Sequence, residues 1–236
     1  SSNMRYMNRF TYMSGNPDLK PETIHDLTLS GSYKWLQFMI SYQREKDAIL
    51  YITEQYKKNP AITTVTHRNF NRIDNFSAFL TASPAVGSWH PQLTVGVQKQ
   101  WAKIEHNGET LQMDTPLFFC TLNNGIQLPY HWTLSTDINF QSKGDYQNIY
   151  MYQNVFMMNA TLTKSFLNEH LSIHLQGIDL THGRKDGNRI YNKHMNMDVA
   201  NVSDSRELRF TIRYKFNTAK SKYKGKGAAT EEIKRL

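Results

Sequence analysis

The chain has 236 residues, a formal net charge of +8 and a mean hydropathy of −0.62. It contains no apolar run of about 18 residues, which a transmembrane helix would need. Half of the charge excess lies in residues 217–236, where six basic and two acidic residues give +4. The remaining charge is dispersed, so the sequence lacks the basic stripe that is typical of nucleic-acid-binding proteins.

Residues 1–22 are predicted to form a loop with the remnant of a strand. Period-two alternation of apolar and polar side chains then indicates a series of β-strands, because a helix would mix the two sets on every face. The pattern predicts nine strands, at 24–33, 36–53, 62–84, 91–106, 113–128, 131–144, 149–166, 169–182 and 205–216.

The ninth predicted strand has the clearest alternation. One face carries only apolar side chains and the other only polar or charged ones: Leu208, Phe210, Ile212, Tyr214 and Phe216 against Glu207, Arg209, Thr211, Arg213 and Lys215. The other strands repeat the pattern with polar faces rich in Asn, Gln, Ser and Thr. An antiparallel transmembrane β-barrel combines an apolar outer face with a polar interior, which also accounts for the low mean hydropathy.

The connections alternate between short and long. Tight turns are predicted at 34–35, 87–90, 129–131 and 167–169, and longer polar loops at 54–61, 107–112, 145–148 and 183–204. Outer-membrane barrels have short periplasmic turns and longer extracellular loops, so the tight turns are assigned to the periplasmic side. Trp35, Trp89 and Trp132 lie at three of these turns, which predicts an aromatic belt at that membrane interface.

Residues 15–22, with the sequence Gly-Asn-Pro-Asp-Leu-Lys-Pro-Glu, resemble a segment typical of TonB-dependent receptors. Residues 204–217 resemble the final barrel strand of such receptors, and residues 171–180 resemble the strand before it. The resemblance extends from residue 15 to residue 217 and is closest to the Bacteroidota-type outer-membrane β-barrel family. Phe210, Ile212, Tyr214 and Phe216 are similar to the terminal strand that the barrel-assembly machinery recognises.

The resemblance implies a barrel of 22 strands around an N-terminal plug, with uptake energised by the TonB complex. Since nine strands are predicted, the sequence is interpreted as the C-terminal part of the barrel, with the plug and the TonB contact upstream of it. The implied domains are an extracellular segment at 1–22, barrel strands at 23–217 and a basic, disordered periplasmic tail at 218–236. Nine strands alone would leave two open edges and are expected to aggregate without their partners.

No residue pattern indicates catalysis, a metal site or a cofactor. Cys120 lies in the apolar stretch 117–120 and is interpreted as a packing residue. His170 and His174 are about 13 Å apart if they lie on one strand, too far to share an ion. His182 and His194 share the last long loop with several aspartates, but solvated loop residues are the favoured interpretation. We therefore expect neither enzymatic activity nor a resident cofactor.

Two main functions remain open from the sequence. The first is an outer-membrane receptor that imports a siderophore, an oligosaccharide or a peptide, with the TonB complex, outer-membrane lipid, the barrel-assembly machinery and a surface lipoprotein as expected partners. The second is an outer-membrane barrel that serves as an adhesin or a scaffold. A soluble β-sandwich is a third and weaker alternative. The ligand and its binding residues are not indicated by the sequence.

Overall fold

The structure is a computed structural model that describes residues 4–56, 59, 61–106, 108–192, 196–202 and 204–216. Within these residues it contains sixteen β-strands, and no helix there is long and apolar enough to cross a membrane. The tail at 218–236 and His194 lie outside the described residues. The strands, in chain order, are β1 (Met4–Asn8), β2 (Thr11–Ser14), β3 (Thr23–Tyr33), β4 (Leu36–Gln55), β5 (Thr63–Ala82), β6 (Trp89–His106), β7 (Glu109–Met113), β8 (Leu117–Leu128), β9 (Trp132–Gln141), β10 (Gly144–Tyr146), β11 (Ile149–Met151), β12 (Val155–Phe166), β13 (Leu171–Ile178), β14 (Lys185–Tyr191), β15 (Asn196–Val202) and β16 (Glu207–Tyr214).

Nine of these strands form one continuous antiparallel array in the order β3-β4-β5-β6-β8-β9-β12-β13-β16. They correspond to the nine predicted strands, so the prediction of an all-β, antiparallel architecture is confirmed. The array is an open sheet whose outer strands are β3 and β16. Rows of paired residues that start at Leu36, the first residue of β4, run to Met158 in the interior of β12. Such a stagger is the consequence of tilted strands in a barrel wall.

The predicted tight turns are confirmed, and they lie at one end of the sheet, which we call the turn end. They use backbone conformations with positive φ at Lys34, Gly87, Tyr130 and His131, and at all three residues from Leu167 to Glu169. Positive φ at several successive residues lets a chain reverse within two or three positions. The opposite end of the sheet, where the longer connections lie, is called the loop end.

The predictions for the longer connections were partly wrong. The predicted strand 149–166 is two strands, because β11 belongs to a second sheet of order β10-β11-β14-β15 and β12 begins only at Val155. The predicted loops 107–112 and 183–204 contain β7 and the hairpin β14–β15. The partner of β11 is distant in sequence, as in the pair Ile149 and Ile190, so local alternation did not indicate the second sheet. The strands β7, β14 and β15 form local hairpins that the sequence interpretation assigned to loops.

Residues 1–22 contain more structure than the predicted strand remnant. The strands β1 and β2 form a hairpin, and β2 pairs in parallel with the first residues of β5 through Thr11 and Thr63. This is the one parallel pairing among the described strands, and it departs from the predicted purely antiparallel arrangement.

The sheet has two chemically different faces. Paired residues point to the same side, so one cross-strand row places Phe38, Leu80, Val95, Cys120, Phe140 and Phe156 together on what we call the apolar face. The adjacent row places Thr81, Thr94, Thr121 and Asn139 on the opposite, polar face, where Thr81 and Thr94 share a hydrogen bond of 2.9 Å. Large apolar side chains are exposed throughout the apolar face, Leu27 by 75% and Leu208 by 76%.

Buried apolar side chains cluster at the loop end. This loop-end core consists of Ala48, Leu50, Ile73, Ala102, Ile104 and Met113, with Phe70, Leu111, Tyr150 and Tyr191 packed against it. In β4 the even-numbered residues are exposed from Phe38 to Lys46 and buried from Ala48 to Ile52. The change occurs at Asp47, whose φ of 54° interrupts the extended conformation. The two-faced sheet therefore changes into a conventionally packed structure at this level.

Candidate functional site

A cavity of about 1030 Å³ opens at the loop end. The β5–β6 ladder ends at the pair Ile73 and Ala102, beyond which β5 remains paired with β4, while β6 pairs with β7. The two hairpins therefore diverge, and the space between them is the loop-end cavity. Most of the residues that line it are polar or charged, including Thr53, Glu54, Arg68, Asn71, Lys103 and Asn192, and Ile52, Phe70 and Ile104 contribute apolar surface.

A second cavity of about 690 Å³ adjoins it and shares Glu54, Arg68, Asn69 and Asn71 with its wall. The other wall is formed by the motif at residues 15–22, through Gly15, Asn16, Pro17, Asp18 and Lys20. The motif segment thus lines a recess of the loop end.

Side-chain amides hold this motif segment against β5. Asn69 accepts a hydrogen bond from the Lys20 backbone N at 2.8 Å and donates one to the Lys20 carbonyl at 2.9 Å. The Asn16 amide donates to the His67 carbonyl at 3.0 Å and accepts from the Asp18 backbone N at 2.9 Å. Three of these bonds join the segment to β5 and the fourth closes a turn within it, so they fix a segment that has no strand partner of its own.

The cavity walls offer hydrogen-bonding groups with nearly balanced charge. Arg68 forms an ion pair of 2.6 Å with Glu54, and both side chains are about half exposed. The ring of His67 lies 4.2 Å from that of Tyr51, centre to centre. Amides, hydroxyls and an ion pair of this kind suit a hydrated, polar ligand held by several hydrogen bonds. Among the described residues, no group of three His, Cys, Asp or Glu side chains is placed to hold a metal ion.

The second sheet closes the free edge of β4. Beyond Lys46, β4 has no β3 partner, and Asn192 accepts a hydrogen bond of 2.8 Å from the Thr53 backbone N. Asn148 donates to the Tyr51 carbonyl at 2.7 Å. Both asparagines are almost fully buried. These bonds cap an exposed strand edge and fix the second sheet beside the loop-end cavity.

Asp179 organises the connection between β13 and β14. It is 2% exposed and accepts hydrogen bonds from the Gly183 backbone N at 2.8 Å and from the Ser205 hydroxyl. Burial alone would raise the pKa of Asp179, but these bonds, together with those from Arg184 and Thr181, hold the pKa below its usual value. The ionised side chain therefore anchors the loop to the segment that enters β16.

The residues singled out in the sequence lie away from both cavities. Trp35 is in the turn between β3 and β4, while Trp89 and Trp132 are the first residues of β6 and β9, all at the turn end. Each is partly exposed, and the Trp89 ring N donates to Asn124 at 3.2 Å. A membrane interface at their level stays a prediction.

The four residues proposed as an assembly signal are all exposed. Phe210, Ile212 and Tyr214 lie on the apolar face of β16, and Phe216 follows the end of that strand. The rings of Tyr214 and Phe216 are in edge contact at 4.6 Å. Recognition of this strand by assembly machinery stays a prediction.

Sequence reasoning missed the cavity residues. Arg68, Asn69 and Asn71 lie in the β4–β5 hairpin, where polar side chains also fit a solvated strand. The only signal near the cavities was the motif at 15–22, which was interpreted as loop punctuation. Its role as a cavity wall depends on contacts with β5 about fifty positions away.

The chain was compared with protein families, curated proteins and solved structures. The model of the outer membrane protein beta-barrel family matches residues 1–214. A search of curated proteins found no match. Among solved structures, the outer membrane transporter YddB from Escherichia coli is similar, with 11% identity over 88% of this chain and a TM-score of 0.46. The chain spans 34% of that transporter's length.

Proposed function

Since the chain belongs to the outer membrane protein beta-barrel family and is a protein of the bacterial outer membrane, we propose that it forms part of the wall of a TonB-dependent receptor. In this proposal the receptor imports a nutrient ligand such as a siderophore, an oligosaccharide or a peptide. The chain contributes binding and guidance, and it has no catalytic role.

The observation that carries the proposal is the polar cavity at the loop end, set above a sheet with one apolar and one polar face. The apolar face suits contact with lipid, so the polar face is the interior wall. The hydroxyls and amides of that wall, including Thr94, Thr121 and Asn139, offer successive hydrogen bonds to a polar solute. In this proposal the tight turns face the periplasm, so the loop end faces the cell exterior. A ligand that arrives from outside would therefore meet the loop-end cavities first.

The proposed partners follow from the same assignment. The apolar face contacts outer-membrane lipid, and β16 is presented to the barrel-assembly machinery through Phe210, Ile212, Tyr214 and Phe216. Energy would come from the TonB complex through a region outside this chain. A surface lipoprotein that covers the loop end is a further proposed partner, and no nucleic acid is expected.

The proposal is tested by deleting the gene and screening the strain for lost growth on single sources of iron, carbohydrate or peptide. We expect one nutrient class to fail, complementation to restore growth, and a protonophore or loss of TonB to abolish uptake of the labelled nutrient. A strain that grows on every source but loses attachment or envelope integrity would instead support the adhesin or scaffold alternative.

A cavity variant sharpens this test. Asn71 lines both loop-end cavities, so Asn71→Leu should weaken uptake at low nutrient concentration while leaving the amount of receptor in the membrane unchanged. The matched control is Asn196→Leu in the hairpin β14–β15, which lies outside the lining of both cavities. Equal uptake by the two variants would remove the loop-end cavity from the proposal.

A further inference from the structure

The apolar face changes abruptly in chemistry towards the loop end. The row through Ile40, Ala78, Val97 and Phe118 is entirely apolar. The next three rows on the same face contain Tyr42, Phe76 and Lys99, then Arg44, Asp74 and Trp101, then Lys46 and Arg72. We call these three rows the basic rows. The first of them contains one charge, Lys99, beside two aromatic residues, and the number of charges rises in the next two rows.

Two arginines in the basic rows share one carboxylate. Arg44 Nε is 2.8 Å and Arg72 Nε is 2.5 Å from the two oxygens of Asp74, and Arg44 also donates to the Tyr42 hydroxyl. The Asp74 side chain is only 11% exposed, whereas those of Arg44 and Arg72 are 46% and 54% exposed. The group keeps one net positive charge, and each guanidinium has further N–H donors than the carboxylate uses. Asp74 thus orients two arginines towards the surroundings of the sheet.

Lysines add to this charge. Lys99 lies on the face of the Trp101 ring, with its ammonium 5.4 Å from the ring centre, and Lys103 follows two residues further along the exposed side of β6. A cleft beside these residues is lined by Arg72, Trp101 and Lys103, among others. Its acidic lining residues are Asp74 and Asp114. Tryptophan and lysine at the boundary between an apolar band and water are typical of a membrane interface.

A shallow groove of about 430 Å³ lies on the same face directly below the basic rows. Its lining is apolar and includes Phe38, Ile40, Leu80, Val95, Val97 and Phe118. The rows Ile40 to Phe118 and Tyr42 to Lys99 are adjacent, so the upper end of the groove meets the first basic row.

We propose that this surface binds a phosphate-bearing lipid of the outer leaflet, with an acyl chain in the groove and the phosphate against Arg44, Arg72 and Lys99. Arginine forks match the geometry of phosphate oxygens, and the cationic rows complement its charge. In a lipid the acyl chains are covalently joined to the phosphate. The groove meets the first basic row, so one lipid can place a chain in the groove while its phosphate contacts the cations. A soluble anion would use the cations but not the groove. The proposal depends on outer-membrane location and on the proposed assignment of the loop end to the outer side, and it does not depend on nutrient transport.

The experiment uses the complete protein, extracted from outer membranes in detergent and stripped of lipid, with native mass spectrometry as the measurement. The probes are dioleoyl phosphatidic acid, dioleoylglycerol with the same chains but no phosphate, and glycerol 3-phosphate with the phosphate but no chains. We expect phosphatidic acid to bind at least about tenfold more tightly than either of the other two, since the loss of one charge-assisted contact costs about that factor.

Two variants locate the binding. Arg72→Gln combined with Lys99→Gln should lower phosphatidic acid affinity about tenfold or more, and Ala78→Trp should lower it by filling the groove. The control is Arg209→Gln combined with Arg213→Gln, which removes two charges from the polar face of β16 and should leave affinity unchanged. Folding is checked for each variant by its heat-modified migration in gels, and a misfolded double variant is replaced by the single substitution Lys99→Gln.

Three results would overturn the proposal. Equal binding of phosphatidic acid and dioleoylglycerol would show that the phosphate is not recognised. Equal binding of glycerol 3-phosphate and phosphatidic acid would make the surface an anion site without a lipid. Equal losses in the basic-row and polar-face variants would show a general charge effect.

Discussion

The sheet between the turn end and the basic rows, here called the belt, differs from the loop end in how it is stabilised. On the apolar face of the belt, no large hydrophobic side chain of the described residues is buried, and residues such as Leu29 and Phe210 are more than 60% exposed. The loop end holds a small core in which Leu50, Ile73 and Ile104 are 1% exposed. The loop end buries its own apolar surface as a water-soluble protein does, whereas the apolar face of the belt has no such cover among the described residues, and in the proposed function lipid covers it.

The same substitution should have different effects in the two regions. Leu50→Ala leaves a cavity in the loop-end core and should lower the free energy of unfolding by about 2–5 kcal/mol. Leu29→Ala on the apolar face loses only the transfer free energy of the removed atoms, about 1–2 kcal/mol, because lipid chains fill the space. Urea unfolding in lipid vesicles measures both. Equal losses would mean that the belt is packed against protein.

A charge should be tolerated on only one face of the belt. Val95→Arg places a guanidinium on the apolar face midway between the turn end and the basic rows and should cost about 2–4 kcal/mol, the value for the middle of a bilayer. The control is the neighbouring Thr94→Arg on the polar face, which should be close to neutral. Vesicle unfolding is again the measurement, and a larger cost at Thr94 than at Val95 would reverse the assignment of lipid and lumen.

Adding a methyl group at one glycine on each face tests how tightly the two faces are packed. A Cβ on Gly96 would lie 2.2 Å from Phe79, whose ring contacts Phe119 on the polar face at 6.2 Å between centres. Gly96→Ala should cost about 1–3 kcal/mol because the aromatic pair must move. A Cβ on Gly31 would lie 2.6 Å from Phe38, but that ring is on the apolar face and can turn into lipid. Gly31→Ala should therefore cost less in the same assay.

At the loop end, the connection held by Asp179 should depend on pH. Its pKa is lowered in the folded protein, so its stabilising effect is present above the unfolded pKa, about 4, and is lost as pH falls through the lower folded pKa. The amide signals of Gly183 and Arg184 should shift in that acidic range, and Asp179→Asn should abolish the shift. Asp198→Asn is the control. A transition that survives Asp179→Asn would assign it to another group.

The smallest effect is expected on the β14–β15 hairpin. Arg189 forms two hydrogen bonds to Asp198, at 2.7 and 3.0 Å, and this contact lowers the pKa of Asp198. Both side chains are about half exposed, so solvent screens the pair. Arg189→Gln should leave the urea midpoint unchanged within error, and a clear decrease would show that the hairpin is buried against a partner.

The candidate site was less predictable than the sheet. Asn69 and Arg68 follow the polar pattern of a solvated strand, and the motif at 15–22 reads as a loop with two prolines. The Asn69 amide bonds to the Lys20 main chain only because the loop lies against β5. The same contact makes the loop and this part of β5 walls of the cavity. Asp74 likewise has no distinctive sequence context, although it holds two arginines in place.

The sequence by itself determined the nine long strands, their two faces and the tight turns, because period-two alternation and turn geometry are properties of neighbouring residues. The tertiary structure decided the second sheet, the parallel pairing of β2 and β5, the change of face at Asp47, the loop-end cavities and the basic rows. These depend on hydrogen bonds, ion pairs and packing between residues that are far apart along the chain, and no local pattern encodes such partners.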